Sequence, residues 1–186
     1  MLIAAVNGPA VGYGTSSIAL FDLIYSVPDA VFFTPFVSVT CSFPTRYVAL
    51  ARNPILTLTR KWGLCAEACS SITFQRIMGR QKAASLILAG DRMTAQEMEA
   101  AGFISKILPK ESFMEEVLTI ARRVAAQPPG ALQFSKNLMM EPMRAELLAA
   151  NERECKGLRE RARTMEPREA IAAFKQEQEA KKKSKL

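Results

Sequence analysis

The chain has 186 residues, 25 basic and 18 acidic side chains, no histidine and a formal net charge of +7. This length predicts one domain, and a hydrophobic share of 49 % is enough to form a core. Basic side chains are scattered, with the densest run at residues 181–185, so we expect a solvated tail and no nucleic-acid partner. The apolar runs are shorter than a bilayer is thick, so we expect no membrane span.

The cysteine and histidine content limits the chemistry open to the protein. Because histidine is the commonest general base, proton transfer here would use a carboxylate, lysine, tyrosine or cysteine. The cysteines fit no zinc-binding spacing, and no histidine can complete a metal site. We therefore expect no metal and reduced thiols at Cys41, Cys65, Cys69 and Cys155.

The first part of the chain alternates short strands with turns. Residues 2–6 predict a buried strand that ends at an Asn-Gly turn. A glycine-rich loop follows, and it leads to a predicted helix over residues 15–20 with Thr15 or Ser16 as its N-cap. Two further strands are predicted over residues 22–27 and 30–36.

Helical spacing dominates from residue 68 onward. Apolar residues predict a helix that stops at Gly79, and a second helix over residues 80–90 that also ends in a glycine. Thr94 and Glu97 have the spacing of a capping box, which predicts a third helix start. We expect a strand over residues 103–108 and helices over 111–126, 130–140, 143–165 and 167–182.

Residues 37–62 follow neither the strand nor the helix period. The segment has no acidic residue and no glycine, and two prolines interrupt it. A long irregular segment within a compact domain is either functional or foreign to the fold.

The loop around Gly8, Gly12 and Gly14 lies between a strand and a helix start. Backbone N–H groups face outward at such a place, and glycine allows a ligand oxygen to approach them. A phosphate-binding loop would use the same geometry, but the GxxxxGK[ST] pattern is absent. Glycines that only form tight turns explain the pattern equally well.

Three blocks of sequence together carry a resemblance to a known family. They are "LIAAVNGPAVGYGTSSIALFDLIYSVPDAVFFTPF", "GLCAEACSSITFQRIMGRQKAASLILAGDRMTAQEMEAAGFISKI" and "PPGALQFSKNLM", in this order. The chain resembles the enoyl-CoA hydratase/isomerase (crotonase) family, and within it the peroxisomal Δ3,Δ2-enoyl-CoA isomerase branch. The resemblance implies an α/β fold, a partial crotonase (ClpP-like) spiral core of short strands and helices followed by a helical C-terminal region.

The resemblance also implies where the site lies. By position, the backbone N–H of Tyr13 is one donor of an oxyanion hole for a thioester carbonyl, and Glu67 is the base. An acyl-CoA substrate is implied, with no further cofactor because coenzyme A is part of the substrate. The implied substrate-binding residues are Ala10, Gly12, Gly14, Pro35, Phe36 and Leu64.

Isomerisation is favoured over hydration by two positions. Hydratases of this family use two carboxylates to split water, and these fall by position at Ser16 and Phe36, neither of which is acidic. We expect transfer of a proton from C2 to C4 of a 3-enoyl-CoA in fatty-acid β-oxidation. The alternatives are an inactive fragment or oligomer-joining subunit, a dienoyl-CoA isomerase, an enoyl-CoA hydratase and a secondary-metabolite enzyme.

Two departures from the family pattern shape the expected domain organisation. The chain starts on a strand that family members reach only after about half a domain, so we expect an N-terminal truncation. Residues 37–62 have no counterpart in the resemblance and are interpreted as an insertion, with translated intron sequence as the hypothesis. We expect a truncated core over 1–108, a C-terminal helical region over 109–182 that forms a homotrimer or hexamer, and a flexible tail over 183–186.

The chain ends in Ser184, Lys185 and Leu186. This tripeptide at the extreme C-terminus is the address that a soluble peroxisomal import receptor binds. The preceding lysine-rich run would keep it accessible. The sequence therefore predicts a peroxisomal location and the import receptor as a partner.

Deletion of the terminal tripeptide should leave a fluorescent fusion in the cytosol, whereas the intact tail should direct the fusion to peroxisomes. Microscopy of the two fusions, each expressed without other subunits, distinguishes them. Peroxisomal import of the deleted form would show that another part of the chain carries the address.

Overall fold

The computed structural model describes residues 1–36 and 63–183. The interpretation of residues 37–62 as an insertion, the expected thiol at Cys41 and the terminal tripeptide 184–186 lie outside the described residues. The described strands are β1 (Ile3–Val6), β2 (Ala10–Val11), β3 (Leu23–Ser26), β4 (Val31–Phe33), β5 (Met93–Thr94) and β6 (Lys106–Ile107).

Six α-helices are described, with two short helical segments of other geometry between them. A 3₁₀ helix covers Ser17–Leu20 and a π-helical turn covers Ser85–Ala89. The α-helices are α1 (Tyr13–Ser16), α2 (Ser70–Ala84), α3 (Ala95–Ala100), α4 (Phe113–Ala125), α5 (Pro129–Ala162) and α6 (Glu166–Lys183). None of these described helices is both long and apolar enough to cross a bilayer.

The strands form two small sheets. In the first, β3 lies between β1 and β6 and runs parallel to both, with Ala4 opposite Ile24 and Ser26 opposite Ile107. In the second, β4 runs parallel to β2 and antiparallel to β5. The predicted mixed α/β class is confirmed by this arrangement, although most strands are shorter than their sequence patterns suggested.

An aromatic cluster joins the second sheet to the helices. The rings of Phe74 on α2 and Phe103 meet edge to face at a centroid distance of 5.4 Å, and Phe32 on β4 lies 6.4 Å from Phe103. Phe32 and Phe74 are fully buried. Because such side chains lose the most water-exposed area on folding, they fix β4 and α2 against one another, and these two elements flank the candidate site.

The helix after the glycine loop begins two residues earlier than predicted. Gly12 is its N-cap, and neither Thr15 nor Ser16 caps it. Both hydroxyls instead donate to carbonyls: Thr15 Oγ1 to Ala10 at 2.6 Å and Ser16 Oγ to Gly12 at 3.2 Å. The predicted cap was wrong because a hydroxyl can also bond back to the preceding turn.

The predicted helix end at Gly79 is confirmed, whereas Pro142 does not end a helix. Gly79 leaves helical geometry with φ 79° and ψ 158°, so two helical segments meet at a kink within Ser70–Ala84. Helix α5 passes through Pro142, so the two helices predicted over 130–140 and 143–165 are one. A proline removes one hydrogen bond and bends a helix, and the packing of its remaining length decides whether the helix continues.

The capping box at α3 is confirmed. Glu97 N–H donates to Thr94 Oγ1 at 3.2 Å, and Thr94 N–H donates to Glu97 Oε2 at 2.8 Å. The reciprocal pair satisfies two backbone donors that the first helical turn would leave without partners.

Thr94→Ala should lower the free energy of unfolding by about 0.5–2 kcal/mol, because the helix loses its N-cap acceptor. Urea unfolding of the wild type and the variant measures this change. Thr94→Ser keeps the hydroxyl and should lose much less. Equal losses in both variants would show that the threonine methyl group, and not the cap, stabilises the chain here.

Candidate active site

The glycine loop holds a backbone N–H at the start of α1. Gly12 has φ 56°, a left-handed conformation that favours glycine, and its N–H donates to the Phe33 carbonyl at 2.9 Å. Thr15 and Ser16 N–H groups close the first turn on the Gly12 carbonyl. Within residues 1–36 and 63–183, no acceptor is bonded to the Tyr13 N–H. The same is true of the Gly14 N–H, so among the described residues the loop presents two adjacent backbone donors without an acceptor, as is usual for the first turn of a helix.

Residues around the Tyr13 N–H leave it accessible. Ala10 is buried in β2 opposite Phe32, and Gly14 has no described atom within 4 Å of the place where a Cβ would stand. Pro35 Cδ lies 3.9 Å from the corresponding place at Gly12, an ordinary contact distance. The structure thus places Pro35 next to Gly12, and Ala10 lies in the strand that leads to this loop.

A backbone hydrogen bond links this loop to the segment that carries Glu67. Leu64 N–H donates to the Phe36 carbonyl at 2.9 Å, and Phe36 is buried. Because β4 ends just before Phe36, the glycine loop and the Glu67 loop are both attached to the same end of β4. The expected substrate-binding residues Phe36 and Leu64 are direct neighbours here.

Glu67 lies in a strained turn that leads into α2. Ala68 and Cys69 have φ 54° and 63°, a left-handed conformation that is costly for residues with a Cβ. Cys69 is the N-cap of α2, and Ser70 N–H donates to the Glu67 carbonyl at 3.0 Å. Strain of this kind persists only where surrounding contacts hold it, so this turn has a fixed shape.

The main contact on this turn comes from Glu154 of α5. Its Oε2 accepts from Cys69 N–H at 2.7 Å and its Oε1 accepts from Ser71 N–H at 2.9 Å, and the residue is only 6 % exposed. The carboxylate therefore occupies the donors at the start of α2. Sequence reasoning missed Glu154 because it lies in the polar run "NEREC", which is typical of a solvated helix face.

The surroundings favour the protonated form of Glu67. Burial raises the pKa of the Glu67 carboxyl above its ordinary value of 4.5, and the nearby Glu154 carboxylate raises it further. Burial, followed by the same carboxylate, also raises the pKa of the Cys65 and Cys69 thiols. The thiols thus stay protonated near neutral pH, and Glu67 is the carboxyl group of this loop.

An apolar pocket of about 330 Å³ opens beside the Glu67 loop. Its wall includes Cys65 and Ala66 from the loop and Ser71 from the first turn of α2. Ile87 and Leu88 of the π-helical turn complete its apolar side. Arg80 adds a charged group to the wall, and Glu67 is not among the lining residues. A pocket of this size can accept a short apolar chain.

The structure assembles the predicted residues in two groups. Ala10, Gly12, Pro35 and the Tyr13 N–H lie around the glycine loop, and Leu64 leads to Glu67. The two groups are joined through Phe36, whereas no direct contact between Tyr13 and Glu67 is described. Across residues 1–36 and 63–183, no three His, Cys, Asp or Glu side chains are placed to hold a metal ion.

Comparison with known proteins identifies the family. A family model described as enoyl-CoA hydratase/isomerase matches residues 41–185. The chain is 36 % identical over 173 residues to the enoyl-CoA delta isomerase 2 of Rattus norvegicus, covering 93 % of this chain and 38 % of that protein. It is 33 % identical over 173 residues to the peroxisomal enoyl-CoA delta isomerase 3 of Mus musculus, covering 93 % of this chain and 47 % of that protein.

The fold supports the same conclusion. A solved enoyl-CoA hydratase/isomerase from Pseudoalteromonas atlantica T6c superposes with a TM-score of 0.79 at 28 % identity, covering 94 % of this chain and 61 % of that one. The protein belongs to the enoyl-CoA hydratase/isomerase (crotonase) family and resembles its isomerases. The chain spans less than half the length of both curated relatives.

Relative to the wild type, Glu67→Gln should become more stable as the pH rises. Because its pKa is raised, Glu67 binds a proton more tightly in the folded state than in the unfolded state. The protonated carboxyl therefore stabilises the wild-type fold fully below pH 4.5, and this stabilisation is lost as the pH rises through the folded-state pKa. Glutamine cannot ionise, so the variant avoids this loss.

Urea unfolding at several pH values measures the difference between the variant and the wild type. The difference should rise with pH and then level off. Glu111→Gln changes an exposed carboxylate and is the matched control, which should lack this rise. A pH-independent difference for Glu67→Gln would mean that the fold does not penalise its charge.

Proposed function

We propose that the protein is an acyl-CoA isomerase that converts a 3-enoyl-CoA into a 2-trans-enoyl-CoA. The observation that carries this proposal is the Glu67 carboxyl, whose pKa is raised by burial and by Glu154. The neighbouring residues Cys65 and Ala66 line an apolar pocket. A base with a pKa nearer to neutral can both remove and return a proton. The similarity to enoyl-CoA delta isomerases supports the same reaction.

In the proposed reaction, Glu67 takes the proton from C2 of the substrate. The electron pair of that bond moves toward the thioester carbonyl, so negative charge develops on the oxygen of a dienolate. The Tyr13 N–H donates a hydrogen bond to that oxygen, and loss of one such donor typically slows a reaction by about 10²–10³-fold. The double bond then re-forms between C2 and C3 as Glu67 returns the proton to C4.

Hydration would need a pair of carboxylates that this site does not offer at the expected positions. Ser16 is fully buried, and its hydroxyl donates to carbonyls of its own turn. Phe36 is buried and apolar. These two positions therefore supply no carboxylate to orient and split a water molecule, which favours isomerisation.

The wider setting of the reaction is also a proposal. We place the enzyme in peroxisomal β-oxidation, delivered by the import receptor, and assembled as a homotrimer or hexamer with no added cofactor. The similarity to a peroxisomal isomerase supports the location. Exposed apolar side chains on α5 support assembly, namely Phe134, Leu138, Met139 and Leu148.

The short coverage of the relatives leaves a second function open. A second oxyanion donor and the contacts to the adenine of coenzyme A are expected from a region before the strand at residues 2–6. A chain without them would act as an inactive or oligomer-joining subunit. The chain covers 38 % of the rat relative, so the activity of a whole family domain is a proposal for it.

Glu67→Gln should lower the isomerase rate by about 10²-fold or more, because a positioned general base contributes on that order. The assay follows formation of 2-trans-enoyl-CoA from 3-enoyl-CoA, with the 186-residue chain and with a form to which the upstream half of the family domain is restored. Glu111→Gln should keep the rate of its parent.

Three results would change the proposal. A near-normal rate for Glu67→Gln removes this residue from the mechanism. Formation of 3-hydroxyacyl-CoA from 2-trans-enoyl-CoA at a comparable rate would make the protein a hydratase. Activity of the restored form alone would assign the 186-residue chain to the inactive alternative.

A further inference from the structure

Glu154 is a buried charge that the proposed reaction does not use. Among the described residues it is the only charged side chain in the buried class. Burial of a carboxylate is unfavourable unless hydrogen bonds compensate it, so a buried carboxylate indicates a specific demand at its position. Here the compensation comes from the two backbone donors at Cys69 and Ser71.

One of the two hydrogen bonds falls within the strained turn and the other falls just after it. Cys69 itself is left-handed, and Ser71 follows it in the first turn of α2. Each left-handed residue costs on the order of 1–3 kcal/mol, and a hydrogen bond to a charged group contributes roughly 1.5–3 kcal/mol. The two effects are of similar size, so the carboxylate can hold a turn that local sequence preference opposes.

Further contacts show that α5 packs along the whole loop at residues 63–69 and not only at the Cys69 N–H. Cys69 Sγ donates to the Leu147 carbonyl at 3.4 Å, and Arg161 Nε donates to the Gly63 carbonyl at 3.0 Å. A Cβ at Gly157 would come within 3.2 Å of Cys65 Sγ, which shows how closely the helix backbone approaches. These contacts span about four turns of α5.

We propose that Glu154 is a positioning residue for Glu67, acting through the left-handed turn at Ala68 and Cys69. The proposal rests on the function proposed for Glu67 as the base. Glu154 does not touch the substrate. It bonds the backbone on the C-terminal side of Glu67 and thereby fixes where the Glu67 carboxyl can reach.

The same carboxylate has an electrostatic effect on the base. Its negative charge raises the pKa of Glu67 in addition to the effect of burial. The other titratable groups around this loop are Cys65 and Cys69 within it, Cys155 and Arg161 on α5, and Glu166 of α6, which lies against Gly63. Removal of the Glu154 charge should therefore lower the pKa of Glu67.

The first test needs no substrate and uses the full chain. Carboxyl carbon NMR of glutamate-labelled protein follows the titration of Glu67, assigned with Glu67→Gln, and hydrogen exchange follows the Cys69 and Ser71 amides. Glu154→Gln should lower the pKa of Glu67 and reduce protection of at least one amide, because glutamine has one acceptor oxygen. Glu152→Gln, an exposed change on the same helix, should alter neither.

The second test measures turnover in whichever form of the enzyme is active. Glu154→Gln should lower kcat by about 10²-fold with little change in KM, since a small displacement of a reacting group has an effect of this order. The acid limb of its pH–rate profile should move to lower pH. Glu154→Asp keeps the charge and two acceptors, so it should recover part of the rate and most of the pKa shift.

The outcomes separate this proposal from the function on which it rests. An unchanged Glu67 pKa and unchanged amide protection in a folded Glu154→Gln variant overturn the positioning role, even if Glu67→Gln is inactive. An active Glu67→Gln variant overturns the proposed function instead. If Glu154→Gln fails to fold, Glu154→Asp carries the test. In that variant, a normal kcat and KM although both amides have lost protection would overturn the proposal.

Discussion

The hydrogen bond from Leu64 N–H to the Phe36 carbonyl is the contact on which the layout of the site depends. Phe36 follows β4, and the carbonyl of Phe33 in that strand accepts from Gly12. One strand end therefore holds both the backbone donor of the glycine loop and the loop that carries Glu67. Without the hydrogen bond from Leu64 to Phe36, the Glu67 loop would have no described backbone hydrogen bond to the segment that follows β4.

The backbone N–H groups at the starts of α2 and α1 are used in opposite ways. At α2, Glu154 accepts hydrogen bonds from the Cys69 and Ser71 N–H groups, so these donors are already used. Its negative charge also raises the pKa of the Glu67 carboxyl, in addition to the effect of burial. At α1, the Tyr13 N–H is left without a described acceptor, as a site for developing negative charge requires.

Sequence patterns predicted those parts of the structure that depend on residues close together in the chain. The capping box at Thr94 and Glu97 is local, and its two hydrogen bonds form as the spacing indicates. The helix break expected at Pro142 and the cap expected at Ser16 were wrong, because packing and back-bonding to the preceding turn prevailed. Both expectations were based on the local conformational preference of one residue, whereas contacts with the surrounding structure determine the conformation at these positions.

The support for Glu67 could not be predicted in the same way. The position of Glu67 came from a family resemblance, but its surroundings depend on Glu154, which is 85 residues from Cys69 in the chain. A glutamate within a charged helical run resembles its solvated neighbours, and only the fold shows that it is buried. The site roles of Tyr13 and Glu67 remain predictions, and the Glu67 variants test the second of them.

The sequence distance between Glu154 and Cys69 has a consequence for how the protein acquires its site. Bringing the two together closes a long loop, and the entropy of that closure opposes the contact until much of the fold is in place. Local features such as the α3 cap can form early, whereas the turn at Glu67 has to wait for α5 to dock. During synthesis, the loop remains without its carboxylate until the chain has been made beyond residue 154. The order of assembly thus leaves Glu67 among the last parts of the fold to reach its final position.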